Sequence, residues 1–202
     1  MLKNLIVFIK NPVIGTVKTR LAKTIGDESA LQVYRDLMEK SRKETQEVSA
    51  DRYLFYSKEI KADNWSTEHF YKQLQAEGDL GFKMKSAFAE VIKKNSKTII
   101  IGSDCYDLTS TIIETAFKEL DSNDLVIGPA NDGGYYLLGI NKFIPELFEE
   151  IEWSTEVVLQ QTLEKAKQLE LKVKCLQELI DIDNIDDLKK SGYSLKINMI
   201  ND

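Results

Sequence analysis

The chain has 202 residues, of which 43% are hydrophobic, so it can bury a full core in one domain. Its formal net charge of -6 argues against a surface built to neutralise nucleic acid or an anionic membrane. We therefore predict a single domain over residues 1–202 with no nucleic-acid partner, and we expect any bound phosphate to meet a local basic cluster.

Cysteine and histidine usage narrows the chemistry. Cys105 and Cys175 are the only cysteines and lie far apart, which predicts a reducing compartment and no disulfide scaffold. His69 is the only histidine, so a metal centre of several imidazoles is excluded, and we assign His69 a structural role. The apolar run that precedes Lys10 is too short for a signal peptide or a membrane span, so we predict a soluble cytoplasmic protein without an integral membrane segment.

The first element is a continuous apolar run over residues 5–9, which predicts a central parallel strand buried on both faces. The loop over residues 10–21 follows, and it contains Gly15 and then Lys18 and Arg20 near a helix start. Flexible backbone amides and two cations beside a helix N-terminus suit a phosphate. A solvated basic turn explains the same residues, and both interpretations stay open.

The next stretch predicts a helix and a second strand. Apolar residues recur at helical spacing from Ala30 to Met38, and the polar residues 41–50 predict the exposed end of this helix. Residues 53–56 predict the second strand. The signal then fades over residues 57–77, where Phe70 and Leu74 fit a weak helix or a 3₁₀ turn.

Two segments in the middle of the chain carry candidate site residues. The sequence GDLG at residues 78–81 opens an amphipathic helix, and its glycines either let a ligand approach or mark a plain loop-to-helix junction. A third strand over residues 98–101 leads to Asp104, just beyond its carboxyl end, where a carboxylate can hold a divalent ion against substrate phosphates. We assign Asp107 a structural role as the cap of the helix that follows.

The stretch LVIGPANDGGYYLLG, residues 125–139, predicts two apolar strands joined by a turn. Asp132 stands beside Gly133 and Gly134, which have no Cβ, so backbone amides can approach a bulky anionic ligand. A tight hairpin turn needs no ligand to explain these residues. On this stretch alone the two interpretations stay open.

The last third predicts a short helix at residues 145–149, a helix that begins after the packing anchor Trp153, and an edge strand within residues 171–176. The carboxylate run at residues 181–188 either supplies a metal ligand or caps the last helix. Strands alternate with helices through most of the chain. We therefore predict an α/β fold with three layers, a doubly wound and mostly parallel sheet between helices.

Five segments taken together resemble a known family. Residues 8–21, 78–81, 102–105, 128–136 and 181–183 look like the bacterial glycosyltransferase-like family of unknown function numbered 2064, over nearly the whole chain. The resemblance implies the GT-A, or nucleotide-diphospho-sugar transferase, fold. It also implies kinship with small nucleotidylyltransferases such as those of molybdenum cofactor and coenzyme F420 synthesis.

The resemblance also implies roles for individual residues. Those that would bind the nucleotide and its phosphates are Gly15, Lys18, Arg20, Gly78, Asp79 and Gly81. Asp104 would take the place of the metal-binding acidic motif, and Asp132 with Gly133 and Gly134 would line the sugar or acceptor side. Tyr106 departs from the pattern, because the family usually has proline there, and this alters the rigidity of the loop.

The leading hypothesis is the transfer of a sugar from a nucleotide diphosphate donor to an unknown acceptor. Mg²⁺ or Mn²⁺ held by Asp104 and Asp183 would offset charge on the diphosphate, and Asp132 would accept the acceptor's proton. One alternative is a nucleotidylyltransferase that acts on a phosphorylated small molecule and releases pyrophosphate. Another is a non-catalytic nucleotide-binding or scaffold subunit. The oligomeric state stays open, with a homodimer among the options.

Overall fold

The computed structural model describes residues 1–94 and 96–193. Seven strands form one sheet. The strands are β1 (Leu2–Ile9), β2 (Asp51–Tyr56), β3 (Tyr71–Leu74), β4 (Ser96–Ile101), β5 (Leu125–Pro129), β6 (Tyr135–Ile140) and β7 (Val173–Cys175). The helices are α1 (Thr19–Ile25), α2 (Asp27–Gln46), α3 (Leu80–Val91), α4 (Ser110–Glu119), α5 (Val158–Gln168) and α6 (Ile185–Lys190), with a 3₁₀ turn at Pro145–Phe148. None of the helices in residues 1–94 and 96–193 combines the length and the apolar character that a membrane span requires.

The strand order is β3-β2-β1-β4-β6-β5-β7. All neighbouring strands pair in parallel except that β6 runs antiparallel to both β4 and β5. From β1 the chain first winds outward to β2 and β3, then returns to place β4 on the other side of β1. This reversal opens a crevice at the carboxyl ends of β1 and β4, which is where open α/β sheets bind ligands.

The alternation of side chains along β1 explains why its apolar run is continuous. Leu5, Val7 and Ile9 belong to the core on the face covered by α2 and α4, whereas Ile6 belongs to the core under α3 and α5. Both faces are covered by helices over residues 5–9, so each of these five positions is apolar. The predicted fold class, a doubly wound and mostly parallel sheet in a three-layer α/β arrangement, is confirmed.

Three local predictions are wrong. Residues 71–74 form the edge strand β3, because they pair in parallel with β2, and neither a helix nor a 3₁₀ turn. The end of α2 is not an exposed segment: Ser41 and Thr45 are buried, and the Thr45 hydroxyl donates to the Ser41 carbonyl, so its burial leaves no unpaired donor. The cap of α4 is Thr109, while Asp107 accepts hydrogen bonds from the Gly192 amide.

Candidate functional site

A cleft of about 250 Å³ opens at the crevice between β1 and β4. The carboxyl ends of both strands, the start of α3 and the amino end of β6 contribute its walls. The residues that line it are Phe8, Ile9, Lys10, Tyr34, Gln75, Leu80, Met84, Ile100, Ile101, Gly102, Ser103, Asp104, Tyr135, Tyr136, Leu137 and Asp181. The lining is therefore mostly apolar and aromatic, and its charged residues are Lys10, Asp104 and Asp181.

Lys18 is the most constrained charged residue beside the cleft. Its backbone has a φ of 51°, a left-handed conformation unusual for a residue with a side chain, at the point where α1 begins. The side chain is only 6% exposed, and its ammonium lies 2.6 Å from Asp104 Oδ1. It also donates to the Ile182 carbonyl at 2.5 Å. Lys18 thus joins the loop after β1, the end of β4 and the segment before α6.

Asp104 is ionised by this arrangement. Desolvation by its surroundings acts to raise the pKa of the carboxyl, but the Lys18 ammonium and, more weakly, Lys10 outweigh it and hold the pKa below its ordinary value. The side chain still has 37% of its surface exposed, so one side of the carboxylate faces solvent. The position predicted from the sequence, just beyond a buried strand, is the one that Asp104 occupies.

Asp181 also lines the cleft, and it lies on the segment between β7 and α6. The segment around it forms an antiparallel bridge with Cys105, and the Ile182 amide donates to the Asp104 carbonyl at 3.1 Å. Burial, followed by the charges of Asp104 and Asp132, raises the pKa of Asp181 to about 7. At neutral pH this carboxyl is therefore divided between its charged and neutral forms. A bound cation would stabilise the charged form.

Asp183 and Arg20 lie outside the cleft lining but are joined to it. The Arg20 guanidinium contacts Asp183 Oδ2 at 2.7 Å, with side chains that are 75% and 39% exposed. This pair runs beside the Lys18 contact, between the same two segments. The two predicted phosphate-binding cations are thus paired with the two predicted metal ligands, Lys18 with Asp104 and Arg20 with Asp183.

Asp132 lies in the turn between β5 and β6, so the hairpin is present. Its side chain is exposed, and Oδ1 accepts from the Gly134 amide at 2.9 Å. Gly133 has a φ of 85°, and a Cβ there would lie 2.0 Å from the Glu156 carbonyl oxygen. The close approach of this backbone explains Gly133 without a ligand, whereas the exposed Asp132 carboxylate near Asp181 is free to contact one.

The GDLG segment plays a mainly structural part at the edge of the cleft. Asp79 caps α3 by accepting from the Phe82 amide at 2.8 Å. A Cβ on Gly81 would lie 2.1 Å from Trp153 Nε1, so Gly81 admits the indole ring. Gly78 has a φ of 130°, which favours glycine. The neighbouring Leu80 is the residue of this segment that lines the cleft, a role that the GDLG pattern does not predict.

Gly15 is the exception among the predicted glycines. Its φ is 74°, and a Cβ built on it would meet no atom within 4 Å. The backbone of the loop after β1 is thus open on that side. The predicted approach of a phosphate to this loop stays a prediction, and no packing contact competes with it.

Lys10, Tyr34 and Gln75 are among the cleft residues that were not predicted as site residues from the sequence. The Tyr34 hydroxyl accepts from the Lys10 amide at 2.8 Å, and burial raises its pKa far above the ordinary value, so it stays neutral. Gln75 Nε2 donates to the carbonyls of Ile9 and Phe55, both at 3.1 Å. These contacts fix the ends of β1 and β2. A weak signal existed only for Lys10, which directly follows the apolar run.

The sequence matches the family described as "Uncharacterized protein conserved in bacteria (DUF2064)" over residues 41–155. The chain belongs to this family. The predicted family membership is thereby confirmed, and the match covers more than half of the 202 residues. No curated protein matches the chain significantly.

Solved structures similar to this DUF2064 protein share its fold. A "putative nucleotide-diphospho-sugar transferase" from Desulfovibrio desulfuricans G20 is 28% identical with a TM-score of 0.87, covering 98% of this chain and 95% of that one. The inositol-1-phosphate CTP transferase from T. maritima is 14% identical with a TM-score of 0.64, covering 98% and 96%. Rv0371C from Mycobacterium tuberculosis H37Rv, in complex with manganese, is 11% identical with a TM-score of 0.57, covering 94% and 96%.

The carboxylates beside the cleft of this DUF2064 protein are of the residue type that can hold a divalent ion. Within residues 1–94 and 96–193, no three His, Cys, Asp or Glu side chains form a ready cage for a metal. Mg²⁺ does not need one, because proteins usually hold it through one or two carboxylates and the phosphates of the substrate. Asp104 and Asp181 supply such oxygens at the cleft, where burial and then the charges of Asp104 and Asp132 raise the pKa of Asp181.

Proposed function

We propose that this protein is a nucleotide-dependent transferase that moves a sugar from a nucleoside diphosphate donor to an acceptor hydroxyl. The observation that carries the proposal is the charged side of the cleft, where two cations and several carboxylates from separate segments meet beside a pocket at the switch point of the sheet. The 28% identity to a protein described as a nucleotide-diphospho-sugar transferase supports the choice of donor.

The cations would act on the leaving group. When the bond between sugar and diphosphate breaks, negative charge grows on the diphosphate, and a positioned ammonium and guanidinium stabilise it. Lys18 and Arg20 are the candidates, and each is paired with a carboxylate in this structure. The diphosphate of the donor would therefore replace Asp104 and Asp183 as the partner of these cations. The two freed carboxylates would then need another positive charge.

A divalent ion, Mg²⁺ or Mn²⁺, would supply that charge. Asp104 would hold it together with Asp181, and Asp183 would join them once Arg20 has turned to the diphosphate. The manganese bound by the similar Rv0371C supports this part of the proposal. When bound, the ion would withdraw charge from the diphosphate.

Asp132 is our candidate for the base. Its carboxylate is exposed at the tip of the turn, and only one of its oxygens accepts from the Gly134 amide. The other oxygen could accept the proton of an acceptor hydroxyl. Gly133 and Gly134 would line the acceptor side, and Gly15, Gly78, Asp79 and Gly81 the nucleotide side, as the family resemblance implies.

A panel of ligands tests the proposal. Nucleoside diphosphates, triphosphates and nucleotide sugars are each added with and without Mn²⁺ or Mg²⁺, and the melting temperature is measured, because a ligand that binds only the folded state raises its stability. We expect a metal-dependent rise with diphosphates and their sugars. No rise with any ligand, in a protein that melts cooperatively, would refute the proposal.

The second candidate is a nucleotidylyltransferase, favoured by the similarity of the whole chain to a CTP transferase. Here the same cations would stabilise the pyrophosphate that leaves a nucleoside triphosphate. A rise in melting temperature confined to triphosphates, and the release of pyrophosphate when a sugar phosphate is added, would select this candidate over sugar transfer.

A further inference from the structure

Asn131, next to Asp132 in the turn, makes two side-chain hydrogen bonds, one as an acceptor and one as a donor. Its Oδ1 accepts from the Asp181 amide at 2.9 Å, and its Nδ2 donates to Asp187 Oδ1 at 2.9 Å. Its backbone amide donates to the Leu179 carbonyl at 3.1 Å. One residue of the turn thus holds the segment over residues 179–187 at three points.

Asp187 is the other half of this connection. It is buried, and its second oxygen, Oδ2, accepts from the amides of Asp183 and Asn184. The Asp187 carboxylate therefore holds the backbone that carries Asp183 with one oxygen, and with the other it accepts from the side-chain amide of Asn131. Asp187 lies outside the cleft lining, so its charge serves the loop and not a ligand.

We propose that Asn131 and Asp187 are a positioning pair that sets the separation of Asp132, in the turn, from Asp181, at the cleft. The inference rests on the proposed function, since it concerns the geometry of the carboxylates that would meet the metal and the acceptor. Asp132 is covalently next to Asn131, and the Asp181 amide is bonded to the Asn131 side chain. Any movement of Asn131 would change the distance between these two carboxylates.

The polarity of the two bonds makes the pair testable. Asn131→Asp keeps the acceptor for the Asp181 amide but sets a carboxylate oxygen against Asp187 Oδ1. Asp187→Asn keeps an acceptor for the two loop amides and supplies an NH₂ group toward position 131. The double variant Asn131→Asp/Asp187→Asn therefore restores every one of these bonds with the direction of one reversed, and it leaves the net charge unchanged.

The experiment is urea unfolding of the wild type, both single variants and the double variant. Each is measured alone and with Mn²⁺ plus an equimolar mixture of ADP, GDP, CDP, UDP and dTDP, called here the diphosphate mixture. The increase in stability on adding the mixture reports the apparent affinity, whatever the stability of the free protein. A merely structural role would lower the stability of the free protein and leave this increase unchanged.

We expect the apparent affinity to fall by about tenfold in Asn131→Asp and to return to within about threefold of the wild type in the double variant. Asn141→Asp is the matched control, because it removes a single asparagine bond, to the Asn123 carbonyl, just after β6 at the opposite edge of the sheet. Its affinity should equal that of the wild type. If Asn131→Asp does not fold, Asn131→Ala takes its place, because it removes both bonds without opposing two carboxylates.

The outcomes separate the two proposals. Wild-type affinity in the folded single variants, or no recovery in the double variant, would overturn the positioning pair and leave the proposed function standing. If the wild type itself gains no stability from the mixture or from any ligand of the panel, the proposed function falls, and the positioning role falls with it.

Discussion

Two buried lysines on opposite edges of the sheet each contact one carboxylate and one backbone carbonyl. Lys18, at the carboxyl edge, lies 2.6 Å from Asp104 and donates to the Ile182 carbonyl. Lys97, at the amino edge, lies 2.6 Å from Asp121 and donates to the Phe117 carbonyl at 2.7 Å. The lysine side chains are 6% and 5% exposed, and each carboxylate keeps a solvent-facing side.

The difference lies in what surrounds each pair. Beside Lys18 are the cleft, a second carboxyl at Asp181 and a second cation at Arg20. The surface depression beside Lys97 holds Lys3 and Glu114, which are already paired with each other. A buried ion pair is therefore not by itself a sign of function. What distinguishes the carboxyl edge is that further charged groups lie beside the ion pair and next to the cleft.

Replacing each lysine with methionine should separate stability from function most strongly. Lys18→Met leaves Asp104 without its cation, so we expect a loss of stability of about 1–3 kcal/mol, and Lys97→Met, whose partner Asp121 is mostly exposed, should lower the stability less. Lys18→Met should also abolish the stabilisation by the diphosphate mixture with Mn²⁺, a loss of at least about 100-fold in apparent affinity. Urea unfolding measures both quantities. Equal retention of binding by the two variants would remove Lys18 from the site.

The carboxylates of the two pairs offer the next test. Asp104→Asn should leave a folded protein whose response to diphosphates no longer depends on Mn²⁺, and turnover should fall by about 100-fold or more. Asp121→Asn should leave both unchanged. Melting curves with and without Mn²⁺, together with the amount of product formed from each nucleotide sugar, check this. A scaffold subunit would be indifferent to both substitutions.

The pH dependence of stability should also differ between the two edges. The pKa of Asp181 is about 7 in the folded state, whereas an unfolded aspartate titrates near 4. Between these values the folded state retains a proton that the unfolded state has lost, so stability falls as the pH rises. Solvent access reduces the effect, and we expect a loss of about 1–2 kcal/mol between pH 5 and pH 8.

Asp181→Asn should remove this slope, and urea unfolding at pH 5, 6, 7 and 8 measures it. Asp121→Asn is the control, because Lys97 lowers the pKa of Asp121, so the Asp121 contribution is lost only at acidic pH, below the titration of an unfolded aspartate. An identical slope in the wild type and Asp181→Asn would contradict the raised pKa of Asp181.

The smallest effect should come from Arg20, whose ion pair with Asp183 is exposed. Arg20→Ala should cost less than about 1 kcal/mol of stability, because exposed ion pairs contribute little, whereas Lys3→Ala at the amino edge breaks a half-buried pair and should cost slightly more. Only Arg20→Ala should weaken binding of the diphosphate mixture, by a few fold at low salt and less at 0.5 M NaCl, since salt screens exposed charges. Calorimetric titration at the two salt concentrations distinguishes the variants.

Local sequence patterns were sufficient for most of the elements. The apolar runs before Lys10 and Asp104 and the turn at Asp132 are properties of a few consecutive residues, and burial of both faces of a strand requires such runs. The strand β3 was missed because it is a four-residue edge strand with no buried residue, so it carries no apolar alternation. Its pairing with β2, and not its own composition, makes it a strand.

The sequence by itself determined the family, the α/β fold and the fact that Lys18, Arg20, Asp104 and Asp132 follow buried strands at one edge of the sheet. Only the tertiary structure decided which charges meet. It pairs Lys18 with Asp104, brings Asp181 and not Asp183 to the cleft, and sets Trp153 against Gly81. These contacts join loops far apart in the chain, and their partners depend on how the loops emerge from the folded sheet, which no local pattern of residues encodes.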